Sequence, residues 1–314
     1  MDKTPKVAIL LSTYNGEKYL SQQLDSILSQ SYKNFIIVVR DDGSSDSSMQ
    51  QLARYQARHP ASFHVLDTPS ENLGASASFT CLIKYVLDNK DRLELERAYM
   101  MFCDQDDIWI EKKIAVEMEQ MLKREKVRGD IPILIHSDLS VVSEAGEEIA
   151  QSFIEYQGLV IHRNKFPQLV LCNLVTGCTA MLNEALAVRS LPMDEKTIMH
   201  DWWVALVASA FGEIVFLSEP LVKYRQHDSN VIGAREYVKP KPLGDSLIKK
   251  LFGRSPDPHL HEVAIQADAF SGVYSQDLLA SQKQALALVG HLKTQNALLQ
   301  NVLCRLVRLA LSLK

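Results

Sequence analysis

Short apolar runs alternate with helical patterns along the first third of the chain, and this alternation constrains the fold more than any other feature. Four runs of four or five residues are typical of buried strands, at residues 7–11, 35–39, 63–66 and 99–103. Apolar side chains at helical spacing follow the first run, within residues 20–28. Strands that alternate with helices predict an α/β fold, a Rossmann-like, mostly parallel sheet with helices on both faces.

The pattern continues through the middle of the chain. Further strands are expected at residues 133–136, 177–182 and 214–217, and a helix at residues 202–211. A turn at residues 143–146 predicts an antiparallel partner for the first of these strands. The whole segment is therefore expected to belong to one domain.

The composition changes near residue 239. Proline or glycine stands at six positions between residues 239 and 259, which predicts a linker there. Residues 260–314 contain no proline and return to helical spacing. We expect an α/β domain over residues 1–238, a linker over 239–259 and a helical C-terminal extension over 260–314.

Charge is spread unevenly along the chain. The net charge of -4 argues against a general nucleic-acid binder, which is normally basic. After Asp277 the chain has no acidic residue, and its charged side chains are Lys283, Lys293, Arg305, Arg308 and Lys314. A basic tail on an acidic body predicts contact with something anionic, or alternatively a solvated helix face.

Cysteine usage and the N-terminus predict a cytoplasmic protein. The five cysteines are odd in number and form no Cys-x-x-Cys pair, so reduced thiols are expected and a zinc site is not. The polar N-terminus shows no signal-peptide pattern. No segment approaches the ~20 apolar residues of a spanning helix.

Two acidic clusters follow predicted strands, where open α/β sheets bind ligands. In the first, Asp42 suits a nucleobase N–H or a ribose hydroxyl, although residues 41–46 are also good turn and helix-cap chemistry. The second, residues 104–107, places three carboxylates within four positions, and these repel one another unless a cation or donors compensate. Oxygen ligands suit Mg²⁺ or Mn²⁺ shared with phosphates, whereas a solvated turn is the alternative.

Two later segments carry candidate catalytic groups. Asp201 precedes two tryptophans at the start of a predicted helix. In an aromatic pocket its pKa would rise and suit a general base, whereas at an exposed helix start it would only complement the helix dipole. Arg225 and His227 follow a predicted strand and offer a phosphate partner and a metal ligand, or a structural histidine.

Seven motifs in order resemble the family-2 glycosyltransferases. The first three are Ser-Thr-Tyr-Asn-Gly-Glu-Lys-Tyr-Leu at 12–20, Gln-Ser-Tyr-Lys-Asn at 30–34 and Asp-Asp-Gly-Ser-Ser-Asp at 41–46. The others are Glu-Asn-Leu-Gly at 71–74, Phe-Cys-Asp-Gln-Asp-Asp-Ile-Trp at 102–109, His-Asp-Trp-Trp at 200–203 and Tyr-Arg-Gln-His at 224–227. The resemblance covers about residues 7–235. Within that family, the motifs most resemble those of bacterial rhamnosyltransferase-like enzymes that build surface polysaccharides.

The resemblance implies a GT-A fold and inverting transfer of rhamnose or a hexose from a dTDP- or UDP-sugar. The acceptor would be a glycan or a lipid-linked saccharide in the cell envelope. Residues 1–110 would form the nucleotide-binding half and residues 111–238 the acceptor-binding half.

The resemblance also implies site residues by position. Those for the nucleotide are Ser12, Tyr14, Glu17, Asp42, Asn72, Asp104 and Gln105, with Asp42 facing the base. Asp106 and His227 would hold Mg²⁺ or Mn²⁺, and Asp201 would be the catalytic base. Trp202 and Trp203 would shape the acceptor pocket, although a core role is equally consistent with the sequence.

One segment departs from the family pattern. Many members carry Ala-Arg-Asn after the Asn-x-Gly motif, whereas residues 75–79 here are Ala-Ser-Ala-Ser-Phe. Without that arginine, the charge of the phosphates would be met by the metal, Arg225 or Lys112.

Two rival functions are also consistent with parts of the sequence. A strand that ends in Asp-x-Asp also resembles the haloacid-dehalogenase-type phosphatases, but that motif normally continues with Thr or Val, where Asp107 stands here. A non-catalytic sugar-nucleotide-binding module is the other rival. Asp201 distinguishes this module from a glycosyltransferase, because a binding module needs a metal site but no base.

Residues 298–313 predict an amphipathic helix with a narrow polar stripe. Its apolar members are Val302, Leu303, Leu306, Leu309, Ala310 and Leu313. The segment is too short to span a bilayer but long enough to lie in its interface. We therefore expect peripheral contact with the inner face of the cytoplasmic membrane, or alternatively packing on the α/β domain or on a second subunit in a homodimer.

Overall fold

A computed structural model describes residues 4–67, 71–191, 193–228, 233–234, 236 and 256–312 of the chain. Most of the predicted linker, residues 239–255, therefore lies outside the described residues, as do Leu313 and Lys314 at the end of the tail.

Strands and helices alternate in the first half, as the sequence predicts. In order they are β1 (Val7–Thr13), α1 (Leu20–Leu28), β2 (Phe35–Asp41), α2 (Ser48–Arg58), β3 (Phe63–Val65), α3 (Ala75–Asp88) and β4 (Tyr99–Cys103). β1 pairs in parallel with β2 on one side and β4 on the other, and β2 pairs in parallel with β3. Their carboxyl ends therefore lie along one edge of the sheet.

Strand side chains alternate between two cores because helices cover both faces of the sheet. Ala8 and Leu10 of β1 pack in the cluster that contains α3. Val7, Ile9 and Leu11 pack in the cluster that contains α1 and α2. This two-sided burial explains why β1 is a continuous apolar run rather than an alternating one.

The second half extends the same sheet. Its elements are β5 (Ile108–Trp109), α4 (Lys113–Arg128), β6 (Ile133–Val142), β7 (Glu148–Ala150), α5 (Phe153–Tyr156), α6 (Phe166–Leu169), a 3₁₀ turn (Gly177–Thr179), β8 (Ala180–Leu182), α7 (Glu184–Ser190), α8 (His200–Phe211) and β9 (Glu213–Arg225). The strand order is β3-β2-β1-β4-β8-β6-β9-β5, with β7 beside β6. β8 is antiparallel to β4 and β6, and β6 is parallel to β9. The described sheet is thus mostly parallel, with β1 to β4, β6 and β9 running one way.

Three strands differ clearly from their predicted bounds, and the first of them, predicted at residues 133–136, extends to Val142 as β6. The segment predicted as a strand from residue 177 begins with the 3₁₀ turn, because the Gly177 amide donates to the Asp201 carboxylate (2.9 Å) instead of a neighbouring strand. The strand predicted at residues 214–217 extends to Arg225, because β9 pairs with β6 along one edge and with β5 along the other.

The C-terminal extension is helical, as predicted, and packs on α8. Its elements are α9 (Pro258–Val273), α10 (Ala280–Gly290), a 3₁₀ turn (His291–Lys293) and α11 (Ala297–Ser312). Phe270 of α9 contacts Trp203 of α8 edge-on, with ring centroids 5.2 Å apart. Among the described residues, no helix combines the length and apolar character needed to cross a membrane.

Candidate active site

The acidic loop, residues 104–107, lies at the carboxyl end of β4 and beside the carboxyl end of β9. β5 follows this loop directly and pairs with β9, which places Ile108 opposite Lys223. This pairing brings the predicted metal ligands together: Asp106 Oδ2 lies 2.9 Å from His227 Nε2. Both side chains keep some exposure, 15% and 9%.

A second group of ligand atoms lies deeper in the same loop. Single ligand atoms of Asp104, Asp107 and Cys178 all lie within 4.8 Å of one another. Asp107 and Cys178 are buried, and Asp107 Oδ1 accepts a hydrogen bond from the Arg225 amide (3.1 Å). Asp104 is only half-buried, so it is the member of this group that a ligand reaches.

Burial and mutual repulsion raise the pKa values of these carboxyls. Desolvation, then the charges of Asp106 and Asp201, raise the pKa of Asp104 to about 7. Desolvation, then the charges of Asp106 and Asp104, hold the pKa of Asp107 well above its ordinary value. Burial likewise raises the pKa of the Cys178 thiol, which therefore stays protonated at neutral pH.

The acidic loop has the character of a site for a hard divalent cation. Carboxylates crowd together, and one buried oxygen of Asp107 has no hydrogen-bond partner among the described residues. A cation would relieve both conditions. The carboxylate of Asp106 with the imidazole of His227 fits a cation shared with a substrate, because both are accessible. The protonated Cys178 thiol is a poor ligand for any metal.

Asp201 stands in the first turn of α8 and is buried. Its Oδ1 accepts from Asn173 Nδ2 (3.1 Å) and its Oδ2 from the Gly177 amide (2.9 Å). Desolvation raises the pKa of the carboxyl to about 6, although these hydrogen bonds act in the opposite direction. The negative charge of Asp201 in turn raises the pKa of Asp104, so the two carboxyls lie in one electrostatic environment.

Asn173 is itself fixed in orientation. Its Oδ1 accepts from the Val175 amide (3.0 Å), which leaves its Nδ2 to face Asp201. The carboxylate of Asp201 is therefore held by two donors, one from a side chain and one from the backbone. Such an arrangement keeps a base both oriented and desolvated.

The loop after β1 contacts the acidic loop directly. The Tyr14 amide donates to Gln105 Oε1 (2.9 Å), and Gln105 Nε2 donates to the Tyr14 carbonyl (3.0 Å). A Cβ on Gly16 would lie 2.2 Å from Gln105 Oε1, so the Gln105 side chain keeps this position only beside a glycine. The Tyr14 ring remains 49% exposed and is available for stacking. The hydroxyl of Ser12 bonds to that of Ser78 (2.7 Å).

Asp42 is occupied by protein partners. It is buried, forms an ion pair with Arg40, and accepts from the amides of Leu73 (2.9 Å) and Gly74 (2.8 Å). The carboxylate therefore fixes the loop that carries exposed Asn72. That Asp42 also faces a nucleobase stays a prediction.

The chain is similar to known glycosyltransferases. A model described as glycosyl transferase family 2 matches residues 8–133, which include β1 to β4 and the whole acidic loop. Residues 8–133 therefore carry a glycosyltransferase family 2 domain. A dTDP-rhamnosyl transferase, RfbG of Shigella flexneri, is 26% identical over 242 residues, covering 74% of this chain and 76% of that protein. An uncharacterized glycosyltransferase of Rickettsia prowazekii, RP339, is 23% identical over 253 residues, covering 79% of this chain and 73% of that protein.

Solved structures agree on the fold. S. aureus TarS 1–349 in complex with UDP-GlcNAc superposes with a TM-score of 0.56 at 18% identity, over 92% of this chain and 73% of that one. This glycosyltransferase therefore has the predicted GT-A fold, and the match of residues 8–133 to glycosyltransferases argues against the phosphatase and the non-catalytic module.

Arg225 of the glycosyltransferase does not have the predicted phosphate-binding geometry. Its guanidinium is buried and donates to the carbonyls of Asp106 (3.0 Å) and Glu144 (2.7 Å) and to Gln22 Oε1 (2.5 Å). It therefore ties the acidic loop to α1 and to the turn between β6 and β7. The other candidate, Lys112, pairs with Glu219.

Glu17 and the two tryptophans also have structural partners. Glu17 Oε2 accepts from the Ser47 amide (2.9 Å) just before α2. Trp202 donates from Nε1 to the Leu169 carbonyl (2.6 Å), and Trp203 is fully buried. These positions favour the core role for both indoles over contact with an acceptor.

Several site residues escaped the sequence interpretation. Asn173 lies in the irregular segment 151–175, where no periodicity or motif marked it. Tyr19 belongs to the first motif, and its ring stacks on the His227 imidazole at 4.8 Å. Cys178 also escaped, because no residue pattern in the sequence distinguishes it from a core thiol.

Proposed function

We propose that this glycosyltransferase moves a sugar, rhamnose or a hexose, from a dTDP- or UDP-sugar to a hydroxyl of a bacterial surface glycan, with inversion at the anomeric carbon. The name of the Shigella flexneri relative supports a dTDP-rhamnose donor. The acceptor is a glycan or a lipid-linked saccharide that meets the donor in the cytoplasm. The five free cysteines support a reducing compartment.

Asp201 acts as the base in this proposal. Its carboxylate takes the proton from the acceptor hydroxyl while the oxygen forms a bond to the anomeric carbon, and the bond from that carbon to the diphosphate breaks. The observation that carries the proposal is the buried carboxyl of Asp201, which two donors hold beside Asp104. A pKa of about 6 leaves the carboxylate ionised at neutral pH yet more basic than an exposed aspartate.

The donor binds across the first half of the chain. Ser12, Tyr14 and Gln105 lie where two loops meet at the carboxyl ends of β1 and β4, the side of the sheet on which such folds bind nucleotides. Asp104 belongs to this nucleotide-binding half, residues 1–110, and interacts electrostatically with Asp201 of the acceptor-binding half, residues 111–238. Glu17, Asp42 and Asn72 complete the nucleotide side of the proposal.

Asp106 and His227 hold Mg²⁺ or Mn²⁺. When bound, the cation supplies positive charge that stabilises the departing nucleoside diphosphate. Because no arginine follows the Asn-x-Gly motif and Arg225 is occupied by protein partners, this charge has greater weight here. Gln22 accepts from Arg225, which bonds the Asp106 carbonyl, and the Tyr19 ring stacks on the His227 imidazole.

Asp106→Asn tests the metal assignment. The amide keeps the size of the side chain but removes its negative charge, so turnover of the donor should be lost at low Mn²⁺ and partly recovered at high Mn²⁺. Asp91→Asn, at an exposed position, is the matched control. Near wild-type turnover by the Asp106 variant at low Mn²⁺ would contradict the assignment.

A thermal-shift panel identifies the donor. Each sugar nucleotide is added with Mn²⁺, and the true donor should raise the unfolding temperature most, because ligands stabilise the state that binds them. A dTDP-rhamnose shift that exceeds those of UDP-hexoses would support the rhamnosyl assignment. Equal shifts with dTDP alone and dTDP-rhamnose would show that the sugar is not recognised.

A further inference from the structure

The last described helix, α11, is apolar on two faces. Its first face packs on the body of the protein, with Gln300, Cys304, Val307 and Leu311 all buried. The carbonyl of Leu311 accepts from Gln168 Nε2 (2.7 Å), which ties the end of the helix to α6. This face accounts for the packing that the sequence allowed.

The second face points away from the body. With about 3.6 residues per turn, the side chains opposite the buried stripe fall within an arc of roughly 100°. They are Leu298, Leu299, Val302, Leu306 and Leu309, which are 39%, 48%, 42%, 56% and 60% exposed. Five of the fourteen exposed large apolar side chains of the described chain thus lie on this one helix. Such a concentration marks an interaction surface rather than chance exposure.

Charge around this outer face selects the partner. Arg305 and Arg308 are exposed and border the apolar arc on one side. The sequence carries no acidic residue after Asp277. A twofold contact between copies would bring these like charges towards one another, because the same patch meets itself. An anionic lipid surface offers both an apolar layer and the opposite charge.

We propose that α11 docks the enzyme on an anionic membrane surface, with its outer apolar face in the interface and its inner face on the protein. The helix lies along the surface for about 24 Å, which is 16 residues at 1.5 Å each. The body of the protein holds the helix in place, so no ordering of a free tail is needed on binding.

Docking also orients the cleft. Gln168 of α6 donates to the Leu311 carbonyl of α11 (2.7 Å), so the helix passes close to the segment that precedes Asn173. Asn173 holds Asp201. Docking on this face therefore brings the segment around Asp201 near the lipid surface. Only this consequence, and not the docking itself, rests on the proposed function.

Vesicle sedimentation tests the docking. The full-length protein is mixed with phosphatidylglycerol vesicles or phosphatidylcholine vesicles, at low and at high salt. We expect binding to the anionic vesicles that weakens at high salt. Arg305→Gln with Arg308→Gln should weaken it about thirtyfold, from about 1 kcal/mol for each charge. Val302→Gln with Leu306→Gln should weaken it at least about tenfold.

Matched controls separate the surface from general apolarity. Val127→Gln with Val188→Gln changes two exposed valines on α4 and α7, and should leave vesicle binding unchanged. Circular dichroism checks the fold of every variant. If the Val302 and Leu306 pair fails to fold, Leu298→Gln with Leu299→Gln replaces it.

Two outcomes would overturn the proposal. The first is a wild-type protein that does not bind phosphatidylglycerol vesicles at low salt. The second is a dimer by light scattering that Val302→Gln with Leu306→Gln dissociates, because the outer face would then be covered by a second copy. Sugar-nucleotide binding is read separately by thermal shift, so failure of docking is distinguishable from failure of the proposed function.

Discussion

Asp201→Asn should stabilise the fold at alkaline pH while it removes the base. Burial raises the pKa of Asp201 from 3.8 to about 6. A shift of about 2 units corresponds to ~3 kcal/mol at pH 8, where the carboxyl must be ionised in a desolvated position. An amide of the same size carries no charge and avoids this free-energy cost of ionisation.

The sign follows from the direction of the shift. Because the folded chain holds the proton more tightly than the unfolded chain, this group stabilises the fold most below pH 3.8, and the contribution is lost as pH rises towards about 6. At pH 5 about half of the loss has occurred. The advantage of the variant over wild type should therefore grow by about 1.5 kcal/mol between pH 5 and pH 8.

Urea unfolding at both pH values measures this difference. The side-chain amide of the variant accepts one hydrogen bond fewer, because its NH₂ group faces either Asn173 or the Gly177 amide. This lost hydrogen bond destabilises the variant by about 1 kcal/mol. That loss is the same at both pH values and cancels in the comparison. Asp91→Asn, exposed, should show no such trend. A free-energy difference that is independent of pH, or that falls as pH rises, would refute the desolvated carboxyl.

Two further substitutions probe the cleft. Gly16→Ala places a Cβ 2.2 Å from Gln105 Oε1, so the Gln105 amide must leave the Tyr14 backbone. Nucleotide affinity, measured by titration, should fall at least about tenfold with little change in stability. Unchanged affinity would exclude this loop contact from the nucleotide site. Asn173→Ala removes a donor that lowers the pKa of Asp201, so the acidic limb of the pH–rate profile should move to higher pH, and a limb that stays in place would show that Asn173 does not act on the base.

Much of the fold could be predicted from the sequence because each element carries its own signal. Residues 7–11 and 99–103 are apolar throughout, as strands covered on both faces must be, and both lie within observed strands. The helical pattern of the extension was equally local. The bounds of β9 were not, because its length depends on β5 and β6 as neighbours.

The metal pair shows how a site can be predicted without its geometry. Asp106 and His227 are 121 positions apart, and no periodicity links them. The order of the family motifs linked them, and the pairing of β5 with β9 is the physical reason that they meet. Their role as ligands stays a prediction.

Side-chain direction was the part that the sequence concealed. Whether Arg225 faces a ligand or the protein depends on Glu144 and Gln22, which lie in a turn and a helix distant from it in the sequence. Likewise, Trp203 is covered by Phe270 of a helix that follows the predicted linker. Aromatic and guanidinium groups suit binding sites and cores equally well, so their type alone does not decide between the two.

Transfer by Asp201→Asn is the most direct test of the central claim. Wild type, the variant and Asp91→Asn are incubated with dTDP-rhamnose or UDP-hexoses and Mn²⁺, and release of nucleoside diphosphate is followed beside nucleotide binding. We predict that the Asp201 variant binds nucleotide like wild type but releases it roughly 10²–10⁴-fold more slowly, the usual contribution of a positioned base. Wild-type release by that variant, or loss of nucleotide binding together with release, would contradict the account.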